Sequence, residues 1–198
     1  MDQAVLNATY ASTFRWQNFA GLLRLGLHRF WLQALPADNA LPGLLLEESQ
    51  ALLGEQAEAD WSSLYQQMQQ QWPPTEGTLA RLINDYDLTL ADTFLLTLLG
   101  EIERSHLISL VVRELQIPST QTRPTIHLCS AISEALFAGD AINLLNLPDS
   151  ALVQAQIIRI EGDGPLPLRH LHLPSGFWSV LLEQTSSWPL CSVIAAGN

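Results

Sequence analysis

The chain has 198 residues, of which 47% are hydrophobic and 15% charged, and this balance excludes an intrinsically disordered protein. The formal net charge is −11, and all nine basic residues are arginines. Without a lysine the chain cannot form a Walker A phosphate loop or a lysine Schiff base, and it has few cations with which to hold nucleic acid.

Residues 4 to 35 predict one long helix or two stacked helices. The apolar positions are too widely spread for a simple amphipathic stripe. The segment is locally basic, since three arginines (Arg15, Arg24 and Arg29) are balanced by only one acidic residue, Asp2. A basic amphipathic helix can lie on a membrane surface, but such a helix has a cleaner polar face than this one. Burial against the rest of the chain or against another subunit is therefore the favoured interpretation. No apolar run reaches the length of a membrane span.

Three aromatic residues of this first segment are candidates for contact with a partner protein: Trp16, Phe30 and Trp31. Tyrosine and tryptophan are enriched where binding energy is concentrated. Burial in the core is the simpler expectation for any one of them.

The next segment predicts two short helices, over residues 44–53 and 57–72. Two prolines bracket the loop before them, Pro36 and Pro42. Pro73-Pro74 ends the second helix, because a residue that precedes proline avoids the helical conformation. We place the end of a helical N-terminal region there, so that this region covers residues 1–73.

A further helix is expected to begin at Thr75 or Thr78, and a longer one follows it. Thr89 and Asp92 form a pattern like a capping box, in which each side chain accepts a hydrogen bond from a free backbone N–H group. Residues 94–99 are apolar on almost every side, which predicts a buried helix. Gly100 is expected to end it.

Two more helices are predicted before the only hairpin pattern. The first covers about residues 104–115, and the second begins after Pro124, whose fixed φ suits a helix start, and covers residues 125–137. Gly139 provides a suitable residue for the end of the second helix.

A β-hairpin is predicted from the residues that follow. Residues 153–160 are rich in β-formers, residues 162–165 form a turn cluster, and residues 166–173 alternate apolar with other side chains. A helix from Pro174 or Ser175 to Glu183 closes the unit. Helices followed by one two-stranded hairpin are typical of a winged helix, so the predicted fold is mainly α: a helical N-terminal region and a winged-helix domain, residues 74–185, with one β-hairpin.

Metal chemistry is not expected. The carboxylates from Asp85 to Thr89 begin like a calcium loop, but the positions that require Gly and a bidentate Glu hold leucines, Leu90 and Leu96. Four residues could be imagined as a zinc site: His127, Cys129, His170 and His172. The first two diverge by about 200° around a helix, and no further ligand stands at a usual spacing. We expect surface histidines on a wing strand, and we predict no catalytic, cofactor-binding or metal-binding residues.

A winged-helix fold suggests DNA binding, but the distribution of charged residues disfavours it. The third helix of the winged-helix domain would enter the major groove, yet residues 125–137 contain no arginine. The hairpin has Arg159 and Arg169, but Glu161 and Asp163 accompany them. Such a cationic footprint is too weak on a chain of net charge −11.

Four stretches together carry a resemblance to a known family. They are Phe94-Leu-Leu-Thr-Leu-Leu99, Glu101-Ile-Glu103, Arg123-Pro-Thr125 and the passage from Pro167-Leu-Arg169 to Leu173-Pro174. In this order the chain resembles the N-terminal, variant winged-helix region of bacterial AAA+ ATPases, including those encoded with phage-tail-like contractile injection particles. The resemblance covers about residues 78–185, and residues 1–72 only loosely.

The resemblance implies a non-catalytic region that binds proteins in the cytoplasm, with other subunits of an ATPase ring or components of the injection particle as partners. ATP and Mg²⁺ would be needed only by an ATPase module, towards which residues 186–198 would be a linker. No cofactor is expected in this chain, and DNA and membranes are not expected partners. The alternative is a free-standing winged-helix regulator that binds protein or DNA.

Overall fold

The computed structural model describes residues 16–36, 39–54, 61–70, 72–74, 78–137, 139 and 144–182, and for 16–18 and 144–145 it describes the backbone only. This part of the chain is mainly helical, with one two-stranded antiparallel hairpin, which confirms the predicted fold class. The predicted linker, residues 186–198, and the start of the first predicted helix, residues 4–15, lie outside the described residues.

The helices of the described chain are α1 (Trp16–Ala34), α2 (Leu41–Leu53), α3 (Trp61–Gln70), α4 (Thr78–Asp85), α5 (Leu90–Arg104), α6 (His106–Leu115), α7 (Ile126–Phe137), α8 (Ala151–Gln154) and α9 (Phe177–Leu181). The strands are β1 (Arg159–Glu161) and β2 (His170–His172). Two 3₁₀ turns cover Leu144–Asp149 and Leu166–Leu168.

Helices α1 and α2 form an antiparallel pair, and α1 also packs on α5 and α7. A Cβ atom at Gly21 would lie 2.6 Å from Leu53 Cγ, so the missing side chain lets the two helices approach closely. At the other end of the pair, His28 Nδ1 lies 2.9 Å from the Pro42 carbonyl oxygen. Because α1 is covered on several sides, its apolar positions spread beyond one stripe. Pro42 lies in the first turn of α2 and not in the loop before it, since a first turn needs no N–H from proline.

Helix α5 begins at the predicted capping box. Asp92 N donates to Thr89 Oγ1 at 3.1 Å, and Thr89 N donates to Asp92 Oδ2 at 2.9 Å. The apolar run that follows is buried, as predicted. The prediction that Gly100 ends this helix is wrong, because α5 continues to Arg104. Gly100 is instead the place where the indole of Trp178 packs, and a Cβ atom there would lie 2.0 Å from Trp178 Cδ2.

Helices α6 and α7 lie within two residues of their predicted bounds. Ser105 caps α6 by accepting from Ile108 N at 3.3 Å, and Thr125 caps α7 by accepting from Leu128 N at 3.1 Å. The loop between the helices is tied by Gln116, whose side-chain carbonyl accepts from Thr125 N at 2.7 Å. Its side-chain amide donates to the Arg123 carbonyl at 3.1 Å.

The hairpin is shorter than predicted. Its register pairs Arg159 with His172, Ile160 with Leu171 and Glu161 with His170. The predicted strand 153–160 is wrong for its first six residues, since Ser150 caps the short helix α8, which is followed by a turn, and β1 begins only at Arg159. The first part of the predicted strand 166–173 forms a 3₁₀ turn, because prolines on both sides of Leu166 remove donors that a ladder needs.

The chain just before α7 lies along β2. Thr125 forms an isolated antiparallel bridge with His170. Two backbone bonds flank the bridge: Leu171 N donates to the Pro124 carbonyl and Ile126 N to the Arg169 carbonyl, each at 2.9 Å. These bonds fix the hairpin against the start of α7.

One continuous hydrophobic core runs through the described residues from α1 to α9. Three rings meet edge to face in it, with centroids 5.2 Å apart for Phe94 and Phe137, and 6.2 Å and 5.8 Å from Trp61 to each of them. Trp61 Nε1 also donates to the Leu136 carbonyl at 2.9 Å. The two regions predicted on either side of residue 73 therefore share their core.

Candidate functional site on the wing

Helix α7 has one buried face and one solvent face. His127, Glu134 and Ala135 are exposed, and Ser130 and Ala131 between them are half-buried. Ser130 Oγ donates to Glu134 Oε1 at 3.1 Å. The solvent face of α7 thus consists of small, neutral or acidic side chains.

The wing, residues 159–172, ends in an apolar tip beside α7. Leu168 is 61% exposed, Pro167 is exposed and Leu166 is half-buried. The 3₁₀ turn that carries them contacts α7. We call the solvent face of α7 together with this tip the α7–wing surface, and define it by five residues: His127, Ser130, Glu134, Pro167 and Leu168.

Two of the three arginines around the wing, Arg123 and Arg169, are engaged by oxygen atoms of the chain itself. Arg123 Nη1 forms an ion pair with Glu161 Oε2 of β1. Arg169 Nε donates to the Gly164 carbonyl at 2.9 Å across the turn. Arg159 is exposed on β1. The cations that a wing could offer to phosphate are therefore largely committed to holding its shape.

The two histidines of β2 stand on one face of the strand, and buried Leu171 lies between them on the other face. His170 Nδ1 is 3.1 Å from the Arg123 carbonyl oxygen. His172 Nδ1 is buried without a hydrogen-bond partner in the described chain and lies 3.8 Å from Glu161 Oε2. Burial and the nearby Arg123 lower the pKa of His172, with a smaller lowering by Arg159 and an opposing effect of Glu161.

No metal or nucleophile site forms among the residues considered for one. His127 is exposed whereas Cys129 points into the core, and burial raises the pKa of the Cys129 thiol to about 12. Such a thiol stays protonated and is a poor nucleophile. Within the described ranges no group of three or more His, Cys, Asp or Glu side chains could hold a metal ion.

A buried polar centre joins the N-terminal helices to α5 and α9. Arg24 and Glu101 are 6% and 3% exposed, and Arg24 Nη1 donates to Glu101 Oε2 at 3.1 Å. Trp178 Nε1 donates to Glu101 Oε1 at 3.3 Å, and Arg24 Nε donates to Glu48 Oε2 at 2.6 Å. Arg104 Nη1 reaches Glu101 Oε1 at 3.4 Å. This centre is structural, and the sequence signal for it was a charged residue between apolar neighbours in each of two helices, Arg24 in α1 and Glu101 in α5.

The aromatic residues singled out in the sequence do not form a described surface. Phe30 and Trp31 are 9% and 1% exposed and belong to the core, and the side chain of Trp16 lies outside the described residues. The large apolar side chains that are exposed were not singled out: Leu32, Leu44, Ile117 and Leu168. Ile117 and Leu168 each lie next to a proline. A proline keeps the backbone out of regular helices and strands, so it was the sequence signal that these side chains could be exposed.

A groove opens at the corner between α4 and α5 and has a volume of about 590 Å³. Its floor is made of buried leucines: Leu88, Leu147 and Leu152. The half-buried ring of Tyr86 lines it together with two carboxylates, Asp92 and Asp149. Among the described residues that line the groove there is no arginine or histidine.

Among the helices that the structure describes, none combines the length and apolar character that crossing a bilayer requires. Comparison of the chain with protein families, with curated proteins and with solved structures gives no match.

Proposed function

We propose that this chain is a non-catalytic, protein-binding region of a bacterial AAA+ ATPase, acting in the cytoplasm in the assembly or loading of a contractile injection particle. The order of helices followed by one hairpin, together with the four stretches that resemble the family, supports the link to the ATPase. ATP and Mg²⁺ would bind only to the ATPase module. The partners would be other ring subunits or components of the particle.

One observation carries the protein-binding part of the proposal. The α7–wing surface has no cation on its helical face, while its tip exposes Leu168 and Pro167. Binding to DNA needs arginine or lysine side chains that replace counterions around phosphates. Binding to protein needs exposed apolar side chains that can be desolvated within a polar rim. The composition of this surface favours a protein partner.

The DNA sequence that follows the codon for Asn198 tests the link to the ATPase. We expect the same reading frame to continue into a module with Walker A and Walker B motifs. A stop codon there, with no ATPase module in the frame, would contradict the proposal. Hydrolysis of ATP by the isolated chain would contradict it as well, because the proposal assigns ATP hydrolysis to the ATPase module alone.

The surface itself is tested with two matched variants of the full-length protein. Leu168→Ser removes the exposed leucine of the wing tip, and Leu44→Ser removes a leucine of α2 that is 44% exposed and lies outside the α7–wing surface. We expect Leu168→Ser to weaken ring or particle assembly about tenfold, since burial of a leucine side chain at an interface contributes about 1.5 kcal/mol. Leu44→Ser should change assembly little. Salt-dependent binding to duplex DNA in a gel shift would favour the free-standing regulator instead.

A further inference from the structure

The groove beside Tyr86 combines an apolar floor with carboxylates that form no ion pair with any residue the structure describes. Asp149 is exposed at the end of a 3₁₀ turn and takes part in none of the ion pairs among the described residues. Asp92 uses Oδ2 to accept from Thr89 N and from Thr89 Oγ1, at 2.9 Å and 2.7 Å, so this carboxylate is held in one orientation. An anionic ligand would be repelled here, and a cationic ligand would be attracted.

The chemical composition of the groove indicates which kind of cationic side chain it would bind. A side chain that fits needs a charged head for the two carboxylates and an apolar stem for the leucine floor, which is how arginine and lysine cover apolar surface. Tyr86 also lines the groove, and an aromatic ring attracts a planar guanidinium more readily than an ammonium. A guanidinium also donates to carboxylates in a fork, whereas an ammonium acts as a point charge.

We propose that the Tyr86 groove binds an arginine side chain presented by an exposed segment of a partner protein. This inference rests on the proposed protein-binding function and adds the chemistry of one partner segment. The net charge of −11 strengthens it, because a basic segment would be steered towards the chain from a distance. The groove uses residues different from those of the α7–wing surface, so each of the two can fail separately.

The test is an NMR titration of the 198-residue chain, labelled with ¹⁵N, with two short capped peptides, Gly-Gly-Arg-Gly-Gly and Gly-Gly-Gln-Gly-Gly. We expect the arginine peptide to shift the amide signals around Tyr86, Asp92 and Asp149 in a saturable way. The glutamine peptide should leave them unchanged. Equal shifts with both peptides, or shifts scattered over all acidic surfaces, would overturn the proposal.

Two variants with the same change in net charge supply the matched control. Asp149→Asn removes a carboxylate of the groove, and Asp163→Asn removes an exposed carboxylate of the wing turn. We expect Asp149→Asn to weaken binding of the arginine peptide about fivefold, the value for one partly exposed charge pair, and Asp163→Asn less than about twofold. Equal weakening would mean that only net charge matters, and the groove would be rejected. Leu168→Ser should bind the peptide like the parent chain, which separates this test from that of the wing.

Discussion

Replacing Glu101 by Gln tests the buried polar centre with a change of one atom. Gln keeps the shape of Glu101, but it has one oxygen and one NH₂ group where the carboxylate has two oxygens. In the structure both carboxylate oxygens face donors: Arg24 Nη1 at one, and Trp178 Nε1 with Arg104 Nη1 at the other. Whichever way the amide turns, its NH₂ group meets an N–H donor, and the buried Arg24 loses a charge partner.

The magnitude follows from burial and from what remains. Removing one member of a buried ion pair destabilises a protein by about 3–5 kcal/mol, because the other charge stays buried. Arg24 still donates to Glu48 and to the Ala20 carbonyl at 3.0 Å, so we expect the lower end, about 3 kcal/mol. For a urea slope of about 2 kcal/mol per molar, that loss lowers the unfolding midpoint by about 1.5 M with an unchanged slope.

Glu103→Gln is the matched control, two residues further along the same helix. Glu103 is exposed, and partial burial of its carboxyl raises its pKa, with Arg123 opposing the rise. Neutralising this residue should therefore leave the free energy of unfolding within about 0.5 kcal/mol of the parent. Equal midpoints for the Glu101→Gln and Glu103→Gln chains in urea denaturation would refute the account of the polar centre.

Two further outcomes follow from local geometry. Gly100→Ala should cost about 2 kcal/mol of stability in urea denaturation, because its Cβ atom would overlap the Trp178 indole. Gly43→Ala, with no atom within 4 Å of the new Cβ, should instead stabilise by up to about 1 kcal/mol, and the reverse order would be a contradiction. The fold lowers the pKa of His172 from its usual 6.5, so that, as the pH falls, the unfolded chain takes up this proton before the folded chain does. Stability therefore decreases from about pH 6.5 down to the pKa in the folded chain, and does not decrease further below it. Urea midpoints at pH 7.5 and 5.5 should show a smaller loss for His172→Gln than for the parent, and an equal loss would exclude His172 as the cause.

The sequence predicts best those features that depend on neighbours along the chain. The capping box of Thr89 and Asp92 satisfies backbone groups three residues apart, so its pattern is visible in the sequence and α5 begins where expected. Helix α7 begins near its predicted start for the same reason, since Thr125 accepts from a nearby N–H group. The apolar run inside α5 marked burial without showing what covers it.

Features that depend on distant residues were missed or wrong. Gly100 was expected to end a helix because glycine lowers helix propensity by about 1 kcal/mol, and the burial of Trp178 against it outweighs that cost. Glu101 was noted only within the stretch Glu101-Ile-Glu103, because its partner Arg24 lies 77 residues away in the sequence. Residue type alone does not distinguish the exposed Leu168 from a core leucine, and the neighbouring Pro167 was a signal that the sequence analysis did not use.

The shared core bears on how a partner would find the wing. Arg24 of α1 reaches Glu101 of α5, and the Cβ position of Gly26 lies 2.9 Å from Leu136 Cδ1 of α7 and 3.0 Å from Phe94 Cε2 of α5. Helix α1, which lies before the predicted boundary at residue 73, therefore packs against the buried side of α7. The other side of α7 belongs to the α7–wing surface. A substitution that disturbs these contacts should therefore change the position of α7, since packed side chains have few alternative arrangements. The wing is therefore best studied in a chain that includes α1, because α1 packs directly on α7.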